Sequence, residues 1–264
     1  MKRIAALLSF LFVITLTVLI SGSKAQRDAA RAHATPAPSG KIAIPCPAQL
    51  DDITDCPDTG CGPSLDPHLN TQKNIRSLDG EAEPMTIQEM KDLPDPVEGF
   101  EVGETREAIQ ALGEGKKIVV VANALAVRKG SAESCNCKLT RVADTDNHIV
   151  LVDRVLRSRR GESLKDLLSR REEDSITAEF APRPRLDLPH LKRTHLQPLI
   201  TENGVVKVRV TGILFFDSEH SLGRPLKRHN NWEVHPVLEM EFCPRPKRCT
   251  ADSDNNWVKL GDQP

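Results

Sequence analysis

The last third of the chain alternates apolar and polar residues in two strand-length runs. Val206, Val208 and Val210 alternate with Lys207, Arg209 and Thr211, which predicts a strand through VVKVRVTGILFFD with one apolar face. Gly212 breaks that alternation in the way a bulge or bend does. WEVHPVLEMEF predicts the next strand: Trp232, Val234, Leu238, Met240 and Phe242 fall on one face, and Glu233, His235, Glu239 and Glu241 on the other. Upstream, KKIVVVANALAVRKG reads as a strand with a bend and DNHIVLVD as a second. SITAEF reads as a third, with Ile176, Ala178 and Phe180 sharing a face. Helical spacing appears in TREAIQALG and, between strands two and three, in GESLKDLLSRREED. A short helical or irregular link, LDLPHLKRTHLQPLI, follows strand three.

Five strands with a helical link between the third and fourth is the order of an OB-fold, a partly open Greek-key barrel. A β-sandwich usually needs about seven strands. The expected fold is therefore mainly β: an OB-like five-stranded barrel with an inserted helix over residues 99–249, followed by a tail over 250–264.

The chain before the barrel is of another kind. Residues 1–25 read as an export signal, with Lys2 and Arg3 ahead of the apolar run Ile4 to Ile20 and Ser23-Lys24-Ala25 as a small-x-small cleavage site. The run is long for that purpose, so an uncleaved amino-terminal anchor is the alternative reading. No later apolar segment has the length of a membrane span. An exported, periplasmic or extracellular location follows. Residues 26–44, centred on ATPAPSG, read as a flexible tether, and residues 45–98 as an acidic irregular segment wrapped on the barrel. Charge supports that division: residues 26–110 carry 7 Lys/Arg against 16 Asp/Glu, and residues 111–264 carry 26 against 21.

Export changes the reading of the cysteines, since oxidising conditions favour disulfides over zinc. Cys243 and Cys249 bracket PRPKR and are expected to close a tight loop. Cys135 and Cys137 would share a side on an extended chain, and one of them pairing with Cys46, Cys56 or Cys61 would staple the leader to the barrel. An odd count of 7 leaves a thiol over.

Two sets of residues carry candidate chemistry. A basic turn between strands four and five, with Lys227, Arg228, His229 and Trp232, suits an anionic ligand or an envelope-protein partner, because OB-folds bind oligonucleotides and sugars near that loop. This is the favoured, non-enzymatic reading, and it requires no cofactor. Base stacking does not extend it: the chain has no Tyr, and Phe180 and Phe242 fall on apolar faces. The alternative is a metal-dependent hydrolase of phosphodiesterase type. His148, Asp217, His220 and His235 would hold Zn²⁺ or Mn²⁺, with Glu233 as general base. Asp144, Asp146 and His148 recur every second residue and would share one side of a strand, yet that side also carries Val150 and Val152. ESCNC, with His148, offers a Cys/His set, though disulfides compete for its cysteines. The chain has no G-x-S-x-G, P-loop, H-E-x-x-H or dinucleotide-binding glycine pattern, which removes those enzyme classes.

Taken in order, CNC…DTDNHIVLVD, ITAEF, VRVTGILFFDSEH and NWEVHPVLEMEF resemble a group of uncharacterised exported bacterial proteins. That group shares strands of the form D-x-H, VTGxxFFDxxH and E-x-HPV, and DCPDTGCG…DPHLNTQKN is similar to a segment preceding them. The resemblance spans roughly residues 45–75 and 115–243 and implies a shared architecture; it brings no activity. Thermonucleases share the OB topology more distantly, but their arginine and carboxylate pattern does not map residue by residue onto this chain, so a nuclease activity does not carry over.

Overall fold

A computed structural model of the chain describes residues 40–94, 105–219, 227–246, 248–250, 253 and 256–262. The expected signal at 1–25, most of the expected tether, and His220 lie outside them. No helix among the described residues is long and apolar enough to cross a membrane.

Five strands close the barrel: β4 (Lys117–Lys129), β5 (Asn147–Val152), β6 (Ile176–Phe180), β7 (Val206–Phe216) and β8 (Trp232–Phe242). Their spatial order is β4-β5-β6-β8-β7, and β7 returns to pair with β4, so the sheet has no free edge among these five. Only β6 and β8 run parallel within that ring; the other neighbours are antiparallel. The helix α5 (Arg193–Asn203) connects the third barrel strand to the fourth and ends at Gly204 in the left-handed region (φ 72°). The helix α4 (Leu164–Glu173) fills the connection between the second and third strands. This is the strand order and helix placement of an OB-fold, as the alternation predicted.

Closure depends on β4, whose first half pairs with β7 and second half with β5. Its register shifts between Ala124 and Ala126, which supplies the bend expected from its length. Residues alternating inward fill the barrel: Ile118, Val120 and Ala122 from β4, Ile149 and Leu151 from β5, Ile176, Ala178 and Phe180 from β6, Val208 and Val210 from β7. In β8 the pattern departs from expectation. Trp232, Val234, Met240 and Phe242 face the core as predicted, but Val237 enters it in place of Leu238. The cause lies opposite, where Gly212 pairs with Val237 and the register slips on both sides of it.

The amino-terminal part is more ordered than its composition suggests. β1 (Ile42–Ile44) pairs antiparallel with β2 (Gly62–Leu65), inside residues expected to be tether and irregular segment. Helix α1 (Pro67–Lys73) starts at Asp66, whose carboxylate accepts from the backbone N–H groups of His68 and Leu69. The short β3 (Glu83–Pro84) runs parallel to β4, and α2 (Ile87–Asp92) opens with a reciprocal capping box between Thr86 and Glu89. Ile87 and Met90 of α2 join the barrel core. TREAIQALG contributes one turn, α3 (Glu107–Gln110), and the expected carboxyl-terminal tail carries β9 (Val258–Lys259), paired with β8. Trp257 and Leu260 beside β9 are buried.

Three disulfides join Cys46 to Cys61, Cys56 to Cys137 and Cys243 to Cys249. The last closes the tight loop expected around PRPKR, and the second staples the amino-terminal segment to the barrel. Cys135 and Cys137 do not share a side. Residues Ser134–Asn136 form a 3-10 turn, and Cys137 adopts a left-handed conformation (φ 50°), so the two side chains diverge.

A Cβ at Gly212 would stand 2.5 Å from the Pro236 carbonyl oxygen and 2.5 Å from Val234 Cγ1. Gly212→Ala should therefore destabilise the barrel by roughly 1–3 kcal/mol, the cost typical of overpacking. Urea denaturation checks this; an unchanged midpoint would show that β8 yields at this point.

Candidate metal centre

Alternation that sends apolar residues into the barrel sends His148, Glu179, Phe215, Glu233 and His235 to its outer surface. His148 is half-buried and the other four are closed off from solvent, contrary to the expectation that Glu233 and His235 would face a ligand: both are fully buried. Their cover is the 133–137 turn together with α1 and the chain around Cys56. Lys73 at the end of α1 donates to Glu133 (Nζ to Oε2, 2.7 Å) and stands over the Phe215 ring. Asn74 donates to the carbonyl of Cys135, Ser134 donates to Asn70, and Ile53 N–H donates to Asp144. Arg183 holds the carbonyls of Cys56 and Pro57. The Cys56–Cys137 bridge pins this cover beside the barrel wall.

Within the covered layer the strands place their polar residues by register. His148 on β5 lies opposite Glu179 on β6, and their side chains approach to 3.3 Å (Nε2 to Oε1). His235 on β8 reaches the other oxygen of the same carboxylate (Nδ1 to Oε2, 3.2 Å). Neither approach has hydrogen-bond geometry, and both ring nitrogens of His235 have no hydrogen-bond partner among the described residues. Gly130, at the end of β4, makes room here: a Cβ would stand 2.9 Å from His148 Nε2. Asp146, just ahead of β5, accepts from the Asn136 amide through Oδ2 (2.8 Å), and its Oδ1 has no partner among the described residues.

Two groups of donor atoms result, each with all members within 4.8 Å of one another: Asp146, Glu179 and His235; and Glu133, Cys135 and Asp146. Asp146 belongs to both. The sequence-derived ligand set of His148, Asp217, His220 and His235 is thus redrawn. His148 and His235 do converge, but on Glu179. Asp217 faces Arg228 (3.1 Å), and His220 lies outside the described residues. Glu233, the expected general base, is also held by Arg228 (3.0 Å). Glu179 escaped notice in the sequence because a single acid in ITAEF looks like a solvated outward residue. Cys135 was masked by the disulfide alternatives, and Lys73 lay in a segment read as irregular.

The basic turn also differs from expectation. Trp232 is fully buried, with its indole N–H donated to the Pro94 carbonyl, and Arg228 is turned inward between Asp217 and Glu233. Lys227 and His229 remain exposed. The four do not form one surface.

Charge is the distinctive property of the layer. Five buried carboxylates, Glu133, Asp146, Glu179, Asp217 and Glu233, are met by ion pairs from the buried Lys73 and the partly buried Arg228. The consequences differ by position. Burial opposes ionisation of Glu133, yet the charge and hydrogen bond of Lys73 hold its carboxyl down at about 2. Burial, reinforced by Glu133 and Glu179, pushes Asp146 up to about 6. Burial with Glu179 and Asp217 nearby pushes Glu233 up to about 8 despite Arg228. Glu179 raises His148, and burial lowers His235. Burial and then Glu133 raise the Cys135 thiol.

No family model matches the chain, and no curated protein or solved structure matches it either.

The metal-free protein should lose stability as pH rises. Glu233 holds its proton more tightly folded than unfolded, so its contribution is complete below about 4.5 and disappears as pH approaches about 8. Asp146 acts in the same sense between about 4 and 6. His148 adds to this slope above 6.5, and His235 opposes it below 6.5. Chelator-treated protein is expected to melt lower at pH 8 than at pH 5, each kcal/mol costing roughly 2–4 °C. Glu233→Gln should reduce that difference; a pH profile identical to that of the parent protein would refute the assignment.

Proposed function

We propose that the protein is an exported, disulfide-pinned β-barrel module that holds a divalent metal ion, zinc or manganese, between the barrel wall and its amino-terminal cover. Asp146, Glu179 and His235 are the primary ligands. One observation carries this reading: buried carboxylates outnumber the cations that answer them, and beside them the His235 ring nitrogens and Asp146 Oδ1 have no hydrogen-bond partner among the described residues. Buried charge without compensation costs several kcal/mol per ion, and a divalent cation removes that cost while using the lone pairs already aimed inward. The donor set, two carboxylates and an imidazole, is one that zinc accepts. Three disulfides accord with an oxidising compartment.

The burial of all three ligands favours a closed, binding or structural centre over a catalytic one, which keeps an open coordination position. An anionic ligand at the β7–β8 turn fits less well, since Arg228 already serves two carboxylates and Trp232 is enclosed. A metal-dependent hydrolase is the second reading, favoured by His148. Its side chain is 33% exposed and touches Glu179, which places an acid–base group at the edge of the layer.

Purified full-length protein is expected to carry metal by elemental analysis. After chelation, Zn²⁺ or Mn²⁺ at about a hundred times its dissociation constant should add about 2.7 kcal/mol of stability. That corresponds to a rise of roughly 5–10 °C in Tm. Asp146→Asn and His235→Gln should abolish the rise, and affinity should weaken as pH falls because protons compete for the same ligands. Absence of metal together with no thermal response to either ion would end this reading. Hydrolysis of bis(p-nitrophenyl) phosphate by the loaded protein, lost in His148→Ala, would establish the second reading in its place.

A further inference from the structure

Among the seven cysteines, six form disulfides and Cys135 does not. A buried free cysteine commonly serves as a small apolar side chain, and then apolar neighbours surround it. Cys135 has different company. Its Sγ lies 3.6 Å from the Glu133 carboxylate and shares a 4.8 Å cluster with Glu133 and Asp146. Asp146 in turn belongs to the cluster with Glu179 and His235. Sulfur, oxygen and nitrogen donors are therefore gathered around one aspartate, whose Oδ2 is fixed by Asn136 and whose Oδ1 has no partner among the described residues.

The local chain makes this placement specific. The 3-10 turn at Ser134–Asn136 and the left-handed Cys137 send one cysteine out to Cys56 and the other in toward Asp146. Lys73, 2.7 Å from Glu133, already answers that carboxylate and adds positive charge beside the sulfur. Glu133 is thus committed to Lys73, and Cys135 is the donor of its group left to join Asp146.

We propose that Cys135 supplies a thiolate ligand to the centre formed by Asp146, Glu179 and His235, making it selective for thiophilic divalent ions such as zinc, cobalt or cadmium over manganese or magnesium. This rests on the metal-binding reading above. On binding, the Cys135 thiol gives up its proton to solvent as its sulfur bonds to the metal. A mixed sulfur, nitrogen and oxygen set of this kind suits zinc; oxygen-rich sets suit manganese and magnesium.

Cobalt(II) substitution of the full-length protein, with its disulfides intact, tests the assignment. The expected result is an intense near-ultraviolet sulfur-to-cobalt charge-transfer band alongside the weaker visible bands. In Cys135→Ser the charge-transfer band should vanish while visible bands persist, and preference for Zn²⁺ over Mn²⁺ should fall by about tenfold or more. X-ray absorption at the zinc edge of the unmutated protein gives a second reading that does not depend on a variant folding. A sulfur scatterer at about 2.3 Å supports the proposal. Metal bound with oxygen and nitrogen scatterers alone overturns it and leaves the Asp146–Glu179–His235 site standing. Failure to bind cobalt or zinc at all overturns both.

Discussion

Five carboxylates share one water-poor layer on the outside of the barrel, and ion pairs from the buried Lys73 and the partly buried Arg228 answer three of them. Isolated ionised groups in such surroundings cost several kcal/mol each, so neutralisation has to come from protons, from side chains or from a bound cation. The first two routes are visible in different corners. Lys73 keeps Glu133 ionised, Arg228 spans Asp217 and Glu233, and burial shifts Asp146 and Glu233 toward their protonated forms. Asp146 and Glu179 make no direct ion pair with a lysine or arginine among the described residues; Glu179 meets the two imidazoles of His148 and His235 instead.

The layer exists because something covers the barrel. A lone OB barrel would leave His148, Glu179, Glu233 and His235 facing water, where charges of this density are screened and inexpensive. Here the 133–137 turn, α1 and the chain around Cys56 lie over them, held by Cys56–Cys137 and by hydrogen bonds from Asn74 and Arg183 to backbone carbonyls. The same bridge fixes the turn that points Cys135 inward. Cover and layer are therefore one construction: the disulfide that closes it also orients the Cys135 sulfur. Arg106, paired with Glu114 and stacked over Phe215, closes the adjoining side and also donates to Ser218 and the Phe216 carbonyl.

Barrel closure is the other half of that construction. Parallel pairing of β6 with β8 brings Thr177 beside Glu233 and Ala178 beside Val234, so Glu179 and His235 come within reach across a strand boundary. Antiparallel pairing of β5 with β6 sets His148 directly opposite Glu179. Two histidines 87 positions apart thus meet at one carboxylate through hydrogen-bond registers set by the inward apolar residues.

Much of the scaffold was legible in the residues themselves. Period-two alternation marked the last three barrel strands and apolar runs the first two, Gly212 marked the slip in β7, and the helical link after strand three pointed to OB order, because each depends on neighbours a few positions away. The tight Cys243–Cys249 loop was readable for the same reason. The alternation also told which residues leave the core, but not whether they reach water: that depended on α1 and the Cys56 segment, brought in from far along the chain. Consequently Glu233 and His235 read as outward contacts and are buried, Trp232 is held in the core instead of at a ligand, Cys135 read first as a disulfide candidate, and Glu179 and Lys73 drew no attention. Burial turns an ordinary surface acid into a costly charge, and burial is a property of the assembled layers. Local sequence determined the strands and their faces; tertiary packing alone decided which polar face would be closed off from solvent, and so where the chemistry sits.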